Sequence, residues 1–260
     1  MSIIKRMAGN AAGEVVDTVR FFAGVAGVWL VIITFLFAPF HIPSESMQPS
    51  LEVGDRVLVS KWAYGYSRHS LPLGLGYYVP DSVDLRVFPR TPERGDVVVF
   101  RTPAQRRNLI KRVIGLPGDT VEVREGRLFI NGEMVEREPI DQRSYRPHAR
   151  PNRAVNVTAF VETLPGGVEH PIYEQSDFEA LDNAGPFRVP ADSVFVMGDN
   201  RDSSTDSRVP PNPRSPANGG PGYIQLTEVV GRAETVMFTF KRCREEEGLY
   251  CPTGRVWRGL

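Results

Sequence analysis

The sequence predicts a mainly β protein: a single N-terminal transmembrane helix followed by a folded antiparallel β-sheet or barrel domain that carries an inserted subdomain. Three observations predict it. Phe21 to Phe40 contains no charged residue, and about 20 apolar residues are what a helix needs to cross a bilayer. Beyond residue 40 no helical apolar period of any length appears. Short β-branched runs recur there instead, separated by turns, in a chain with 24 glycines and 22 prolines, a composition suited to loop-rich β folds.

Taken in order, the first element is the apolar segment, residues 21–40. A cleavable signal peptide has a shorter apolar core, roughly 7–15 residues, so the segment reads as a retained anchor. The alternative is a cleaved export signal, for which Leu36-Phe37-Ala38 is a poor cleavage site. Lys5, Arg6 and Arg20 flank the segment, partly offset by Glu14 and Asp17. The excess of basic residues leaves residues 1–20 in the cytoplasm and sends the large C-terminal part across.

Strands follow. Arg56 to Ser60 and Asp96 to Phe100 are β-branched runs, each opening at a Gly-Asp step. Leu109 to Ile114 is a third, stopped by Gly115-Leu116-Pro117-Gly118. Val121 to Val123, Arg127 to Ile130 and Met134-Val135 read as successive hairpins, with Asn131-Gly132 as a turn that accepts positive φ at both residues. Val194 to Met197 and Val236 to Phe240 supply later strands. Residues 138–188 are more polar and less periodic, and read as a subdomain inserted between 41–137 and 189–260. Residues 209–222 are a Pro/Gly/Asn loop. Trp62, Tyr64, Tyr66, Leu71, Leu73, Leu75, Tyr77 and Tyr78 cluster after the first run. They fit a surface at the headgroup level of a bilayer, or an aromatic core under a loop.

Charge and cysteine content narrow the classes. Basic and acidic residues balance at 31 each, so nothing points to a nucleic-acid partner. Cys243 and Cys251 are the only cysteines. In a translocated domain they fit a disulfide, with free thiols as the alternative; a metal site would need more ligands nearby. No metal or cofactor is expected.

The chemistry points to Ile42-Pro43-Ser44-Glu45-Ser46-Met47-Gln48-Pro49-Ser50, which places two serines in a proline-stiffened loop just past the anchor. A serine hydroxyl is a weak nucleophile until a base takes its proton. No aspartate or histidine stands at a spacing that announces a Ser-His-Asp triad. The chain has four lysines, Lys5, Lys61, Lys111 and Lys241, and a lysine serves as a base only if burial keeps its amine neutral. In Leu109-Ile110-Lys111-Arg112-Val113-Ile114, period two places Lys111 on one face with Leu109 and Val113. The same pattern fits an edge-strand lysine whose head reaches water.

Four boxes occur in order: Pro43 to Pro49, Arg94 to Phe100, Lys111 to Asp119, and Gly198 to Arg208. Together they closely resemble bacterial type I signal peptidases, from the anchor to about residue 240. The resemblance implies a membrane-bound endopeptidase, without a cofactor, that cleaves signal peptides from exported preproteins after small residues through an acyl-enzyme. It implies Ser46 as nucleophile and Lys111 as general base. Ser44 then shares an oxyanion hole with the Ser46 N–H, and Ser204 orients the lysine amine. Asp199, Asp206 and Arg208 fall at positions that hold the site together. Ile42, Pro43, Met47, Leu51, Leu109 and Ile110 match substrate-contacting positions.

The implied location is the bacterial inner membrane, single-pass, with a catalytic domain (41–137 and 189–260) on the periplasmic side. The implied partners are preprotein signal peptides and the lipid bilayer, with association with the export translocon a possible addition.

Two departures stand out. Glu45 sits where many members have glycine, and its carboxylate is expected to face solvent. The Pro-rich loop also intervenes after Arg208. Asp202, Ser204 and Asp206 imitate the start of a calcium loop, but Ser207 and Pro213 stand where glycine and glutamate are needed. The remaining alternatives are a dedicated conjugation-pilus-type maturation peptidase and a catalytically inactive, membrane-tethered peptide-binding β module.

Overall fold

In the computed structural model the described residues are 2–68, 71, 76, 78–80, 86–102, 107–148, 152–215, 219–240, 246, 248–252 and 254–260, with side chains described from Glu14 onward. Helix α1 (Ser2–Val31) runs into one π turn, Ile32–Leu36. Within it, Glu14–Leu36, 23 residues of mean hydropathy 2.1, is long and apolar enough to cross a membrane.

The expected span, 21–40, is displaced toward the N-terminus. Its last residues leave the helix and open strand β1 (Phe37–His41). Pro39 supplies a reason, since it lacks the N–H a helix interior requires. An edge strand tolerates proline, and β1 is the edge of the main sheet. It pairs antiparallel with β2 (Asp55–Ser60), from Phe37 opposite Ser60 to His41 opposite Arg56.

Two short strands, β3 (Tyr66–Ser67) and β4 (Arg86–Val87), pair with each other. Then come β5 (Val97–Arg101), β6 (Asn108–Gly115), β7 (Thr120–Arg124), β8 (Arg127–Ile130) and β9 (Glu133–Met134). Three long strands follow, β10 (Glu136–Tyr145), β11 (Val155–Leu164) and β12 (Val168–Glu174). The chain closes with β13 (Ala184–Arg188), β14 (Ser193–Met197), β15 (Ile224–Gln225), β16 (Val229–Thr239) and β17 (Arg258–Gly259). The main sheet has the order β1-β2-β16-β5-β6-β14-β15, with β17 on β16; β10-β11-β12 and β13-β7-β8-β9 are separate sheets.

Both faces of the main sheet are apolar, which explains why β5 reads as an unbroken β-branched run. Val97 and Val99 pack with Ile42, Met47, Leu51, Val57 and Val236. Val98 and Phe100 pack on the other face with Tyr64, Val113, Val194 and Val196. Tyr64 thus belongs to the core, its hydroxyl donating to Asp96 at 2.7 Å, whereas Trp62 and Tyr78 are exposed. Leu73, Leu75 and Tyr77 lie outside the described residues. A third cluster joins Ile114, Phe195 and Met197 to β7 and β8.

The β7–β8 and β8–β9 turns have paired positive φ at Glu125-Gly126 (48°, 68°) and Asn131-Gly132 (54°, 85°). That is the geometry whose twist suits two-residue hairpins. Within the expected insertion, β10–β12 carry a cluster of their own, Tyr145, Val157, Ala159 and Tyr173. Strand β13 then returns to pair with β7.

Candidate active site

The loop that carries Ser46 leaves β1 and closes through one 3-10 turn, Glu45–Met47. Its backbone is tied down at both ends: the Ile42 N–H donates to Asp55 O at 3.0 Å and the Leu51 N–H to Met47 O at 2.8 Å. This brings Ser46 against the middle of β6. Lys111 Nζ donates to Ser46 Oγ at 2.6 Å and to the Ile110 carbonyl at 2.9 Å. Lys111 is 4% exposed, so the water-reaching alternative fails. Its face is the one the alternation predicted, opposite Val98 of β5. Burial pulls the amine down to about 8, against the attraction of Asp206 and Asp199.

The loop after β14 closes the site from behind. Gly198 lies where a Cβ would run into both Ser204 Oγ and the Ser46 carbonyl, so a side chain is excluded there. Asn200 carries the Ser46 loop directly. Its N–H donates to Ser46 O at 3.2 Å, and its Nδ2 donates to Glu45 O at 3.2 Å and to Tyr145 Oη at 2.8 Å.

The buried arginines of the site are paired with carboxylates, as burial requires. Arg112 grips Asp199 with Nε and Nη2 at 2.8 and 2.7 Å and reaches Ser50 Oγ at 3.1 Å. Arg208 grips Asp206 at 2.9 Å through both Nε and Nη2 and donates to Arg201 O at 2.5 Å. Asp206 also accepts the Gly198 N–H at 3.0 Å. The neighbouring guanidinium holds each carboxyl, Asp199 and Asp206, below its ordinary value despite burial. Arg201 pairs with Glu162 of β11.

The expected residues are not all placed as expected. Ser204 is buried beside the Ser46 loop, but its Oγ has no hydrogen-bond partner; the Lys111 amine donates to Ser46 and Ile110 instead. Ser44 is exposed in extended backbone before the 3-10 turn. Ile42, Met47 and Leu51 are 1%, 0% and 0% exposed, with Ile110 packed partly exposed against them. Leu109 packs in the opposite cluster, with Val98 and Val113, because neighbours on a strand face opposite sides. It therefore does not share a wall with Ile110. Pro43 is exposed. Glu45 does not simply face solvent: its Oε1 accepts the His148 N–H. Cys251 is disulfide-bonded, and Cys243 lies outside the described residues.

Three contributors escaped sequence reasoning. Arg112 and Asn200 stand inside the boxes; polarity within the apolar run Leu109–Ile114 was the signal for Arg112, whereas Asn200 lies among Asp199, Arg201 and Asp202 and does not stand out from them. Arg255 gave none. From the C-terminal tail it inserts a guanidinium, 5% exposed, that grips Asp55 at 2.6 Å and Ser50 O at 2.8 Å.

Of metal-binding geometry, Glu174, Asp182 and Asp202 each offer an oxygen within 4.8 Å of the others. Burial pushes all three carboxyls up, Glu174 to about 8.

The family model described as "Signal peptidase, peptidase S26" matches residues 15–238. The chain belongs to this family. Among curated relatives of these S26 peptidases, the signal peptidase I of Pseudomonas aeruginosa is 38% identical over 234 residues, covering 89% of this chain and 75% of that one. That of Pseudomonas fluorescens is 40% identical over 235 residues, with the same coverage. That of Rickettsia typhi is 34% identical over 233 residues, covering 85% and 79%. Membership in the S26 family and a helix long enough to span a bilayer together make the chain a membrane-anchored peptidase.

Proposed function

We propose that this S26 peptidase removes signal peptides from exported preproteins, with Ser46 as nucleophile and Lys111 as general base. The observation that carries the assignment is the 2.6 Å contact between a buried lysine amine and the serine hydroxyl. In its neutral form the amine accepts the hydroxyl proton across that contact as Oγ attacks the carbonyl carbon before the cut. The ammonium so formed returns the proton to the departing amine. An acyl-enzyme on Ser46 remains, and the neutral Lys111 then draws a proton from the water that hydrolyses it.

The tetrahedral intermediate places charge on the former carbonyl oxygen. The Ser46 N–H lies in the first turn of its 3-10 helix, where N–H groups have no helical acceptor. With the Ser44 hydroxyl it supplies two donors, of a kind worth about 2.7–4 kcal/mol each once held against the oxyanion. Ser204, whose hydroxyl is buried and unpartnered, is the group available to receive a further N–H of the neutral Lys111 amine. It would orient that amine without adding the negative charge that would keep it protonated. Asp199, Asp206 and Arg208 hold these groups in place.

A preference for small residues before the cut follows from Ile42, Met47 and Leu51, which are already packed and leave large side chains to clash with Pro43 and Ile110 at the surface. The charge asymmetry around the span supports a reading in which residues 41–137 and 189–260, the catalytic domain, lie on the outer side of a bacterial inner membrane. Residues 138–188 then form an insertion on that side.

The test is cleavage of a panel of unrelated preproteins by the full-length enzyme. Turnover of many, cut after small residues and lost in Ser46→Ala, supports the reading. Acceptance of a single substrate would make it a dedicated maturation peptidase, and binding without turnover would end the enzymatic account.

A further inference from the structure

The membrane helix is clamped where it meets the β domain. Lys61 directly follows β2, and its side chain turns back onto the last helical turn. Nζ donates to the Ile33 carbonyl at 2.9 Å and to the Thr34 carbonyl at 3.4 Å. Its backbone N–H takes the Leu36 carbonyl at 2.9 Å. Beside it, the Phe35 and Tyr66 rings meet edge-on, 6.2 Å between centroids. The final carbonyls of a helix lack helical donors and form the negative end of its dipole, so a cationic donor is the fitting cap.

Lys61 is itself 6% exposed, and burial pulls its amine below the ordinary lysine value. No step of the dyad chemistry uses it. The helix is also continuous with the site: it ends at Leu36, β1 starts at Phe37 with no linker, and β1 pairs with the strand that ends at Ser60. One ammonium bridging two successive carbonyls constrains both the tilt and the rotation of that last turn.

We propose that Lys61 is a positioning residue that fixes the angle between the membrane helix and the main sheet, and thereby the height of Ser46 over the bilayer. The proposal rests on the reading of the protein as a signal peptidase. A preprotein held in the bilayer by its own apolar segment presents its cut site at a set depth. An enzyme anchored in the same bilayer gains from matching that depth, because reacting groups held in register need no search. A short soluble peptide diffuses to the site and gains nothing from the match.

The experiment compares wild type, Lys61→Met and Lys61→Arg, full-length and reconstituted in phospholipid vesicles, on two substrates. One is a soluble peptide spanning a signal-peptide cut site, and the other is a preprotein inserted in the same vesicles. For Lys61→Met the expected result is turnover of the soluble peptide within about twofold of wild type. Processing of the inserted preprotein falls by about tenfold to a hundredfold, or its cut shifts to neighbouring bonds by mass spectrometry. Lys61→Arg, which keeps a cationic donor, restores both rate and cut position. Equal loss on both substrates, or no loss on either, overturns the proposal.

Should Lys61→Met fail to fold, spin labels at Val28 of the helix and Phe238 of β16 in the main sheet, both exposed, test the clamp in an otherwise wild-type chain. A narrow distance distribution is expected, and a broad one overturns it. Wild-type enzyme that turns over neither substrate would defeat the signal peptidase reading itself, an outcome distinct from a selective Lys61 effect.

Discussion

On the proposed mechanism, a proton on one nitrogen decides activity at the Ser46–Lys111 pair. With the amine pulled down to about 8 by burial, Lys111 is protonated below that pH and cannot accept the serine proton; above it the neutral base accumulates. kcat/KM is therefore expected to rise with pH and level off above a limb near 8. A profile flat from pH 6 to pH 9, a range of about one to two units on either side of that limb, would argue against a lysine base. Ser46→Ala and Lys111→Ala should each abolish cleavage with an unchanged circular dichroism spectrum. Ser204→Ala tests the unpartnered hydroxyl: kcat should fall by about tenfold or more with KM little changed. Unaltered kcat would show that Lys111 is oriented by Ser46 and the Ile110 carbonyl alone.

Among the elements, the nucleophile loop is held by segments distant in sequence. Asn200 ties its backbone to the loop after β14, and Arg112 of β6 ties Ser50 to Asp199. Arg112→Met should destabilise the protein by about 3–5 kcal/mol, because Asp199 would be left buried and unpaired; its thermal or denaturant midpoint reads this directly. Gly198→Ala should impair cleavage more than overall stability, since the clash falls on the Ser46 carbonyl and Ser204. A variant with wild-type kcat would show that the loop can give way.

Over the whole molecule, buried ionisable groups couple folding to acidity. His170, surrounded by Arg112, Asp199, Glu162 and Arg201, is pushed down to about 4, with burial the main cause. Its folded value lies below its unfolded one. As pH falls from about 6.5 toward 4, the unfolded chain takes up a proton that the folded chain refuses, and stability drops. Relative to His170→Gln, wild type should lose stability across that window and run parallel to it above neutrality. Denaturant titrations at several pH values would show the two curves diverging, and parallel curves throughout would contradict the assignment.

The sequence by itself determined the mainly β class, the apolar anchor, the β-branched runs, the Asn131-Gly132 turn and the box residues, because period, turn chemistry and charge are local properties written in neighbouring residues. Hydropathy could not end the helix at Leu36, since Phe37 to Phe40 is equally apolar whether in a helix or in an edge strand. Pro39 argues locally against helix there, and the pairing of β1 with β2 fixed the boundary. The tertiary structure alone decided the burial of Lys111 and the grip of Arg255 on Asp55 two hundred residues away. Burial and long-range pairing depend on which strands lie side by side, and no local pattern carries that information.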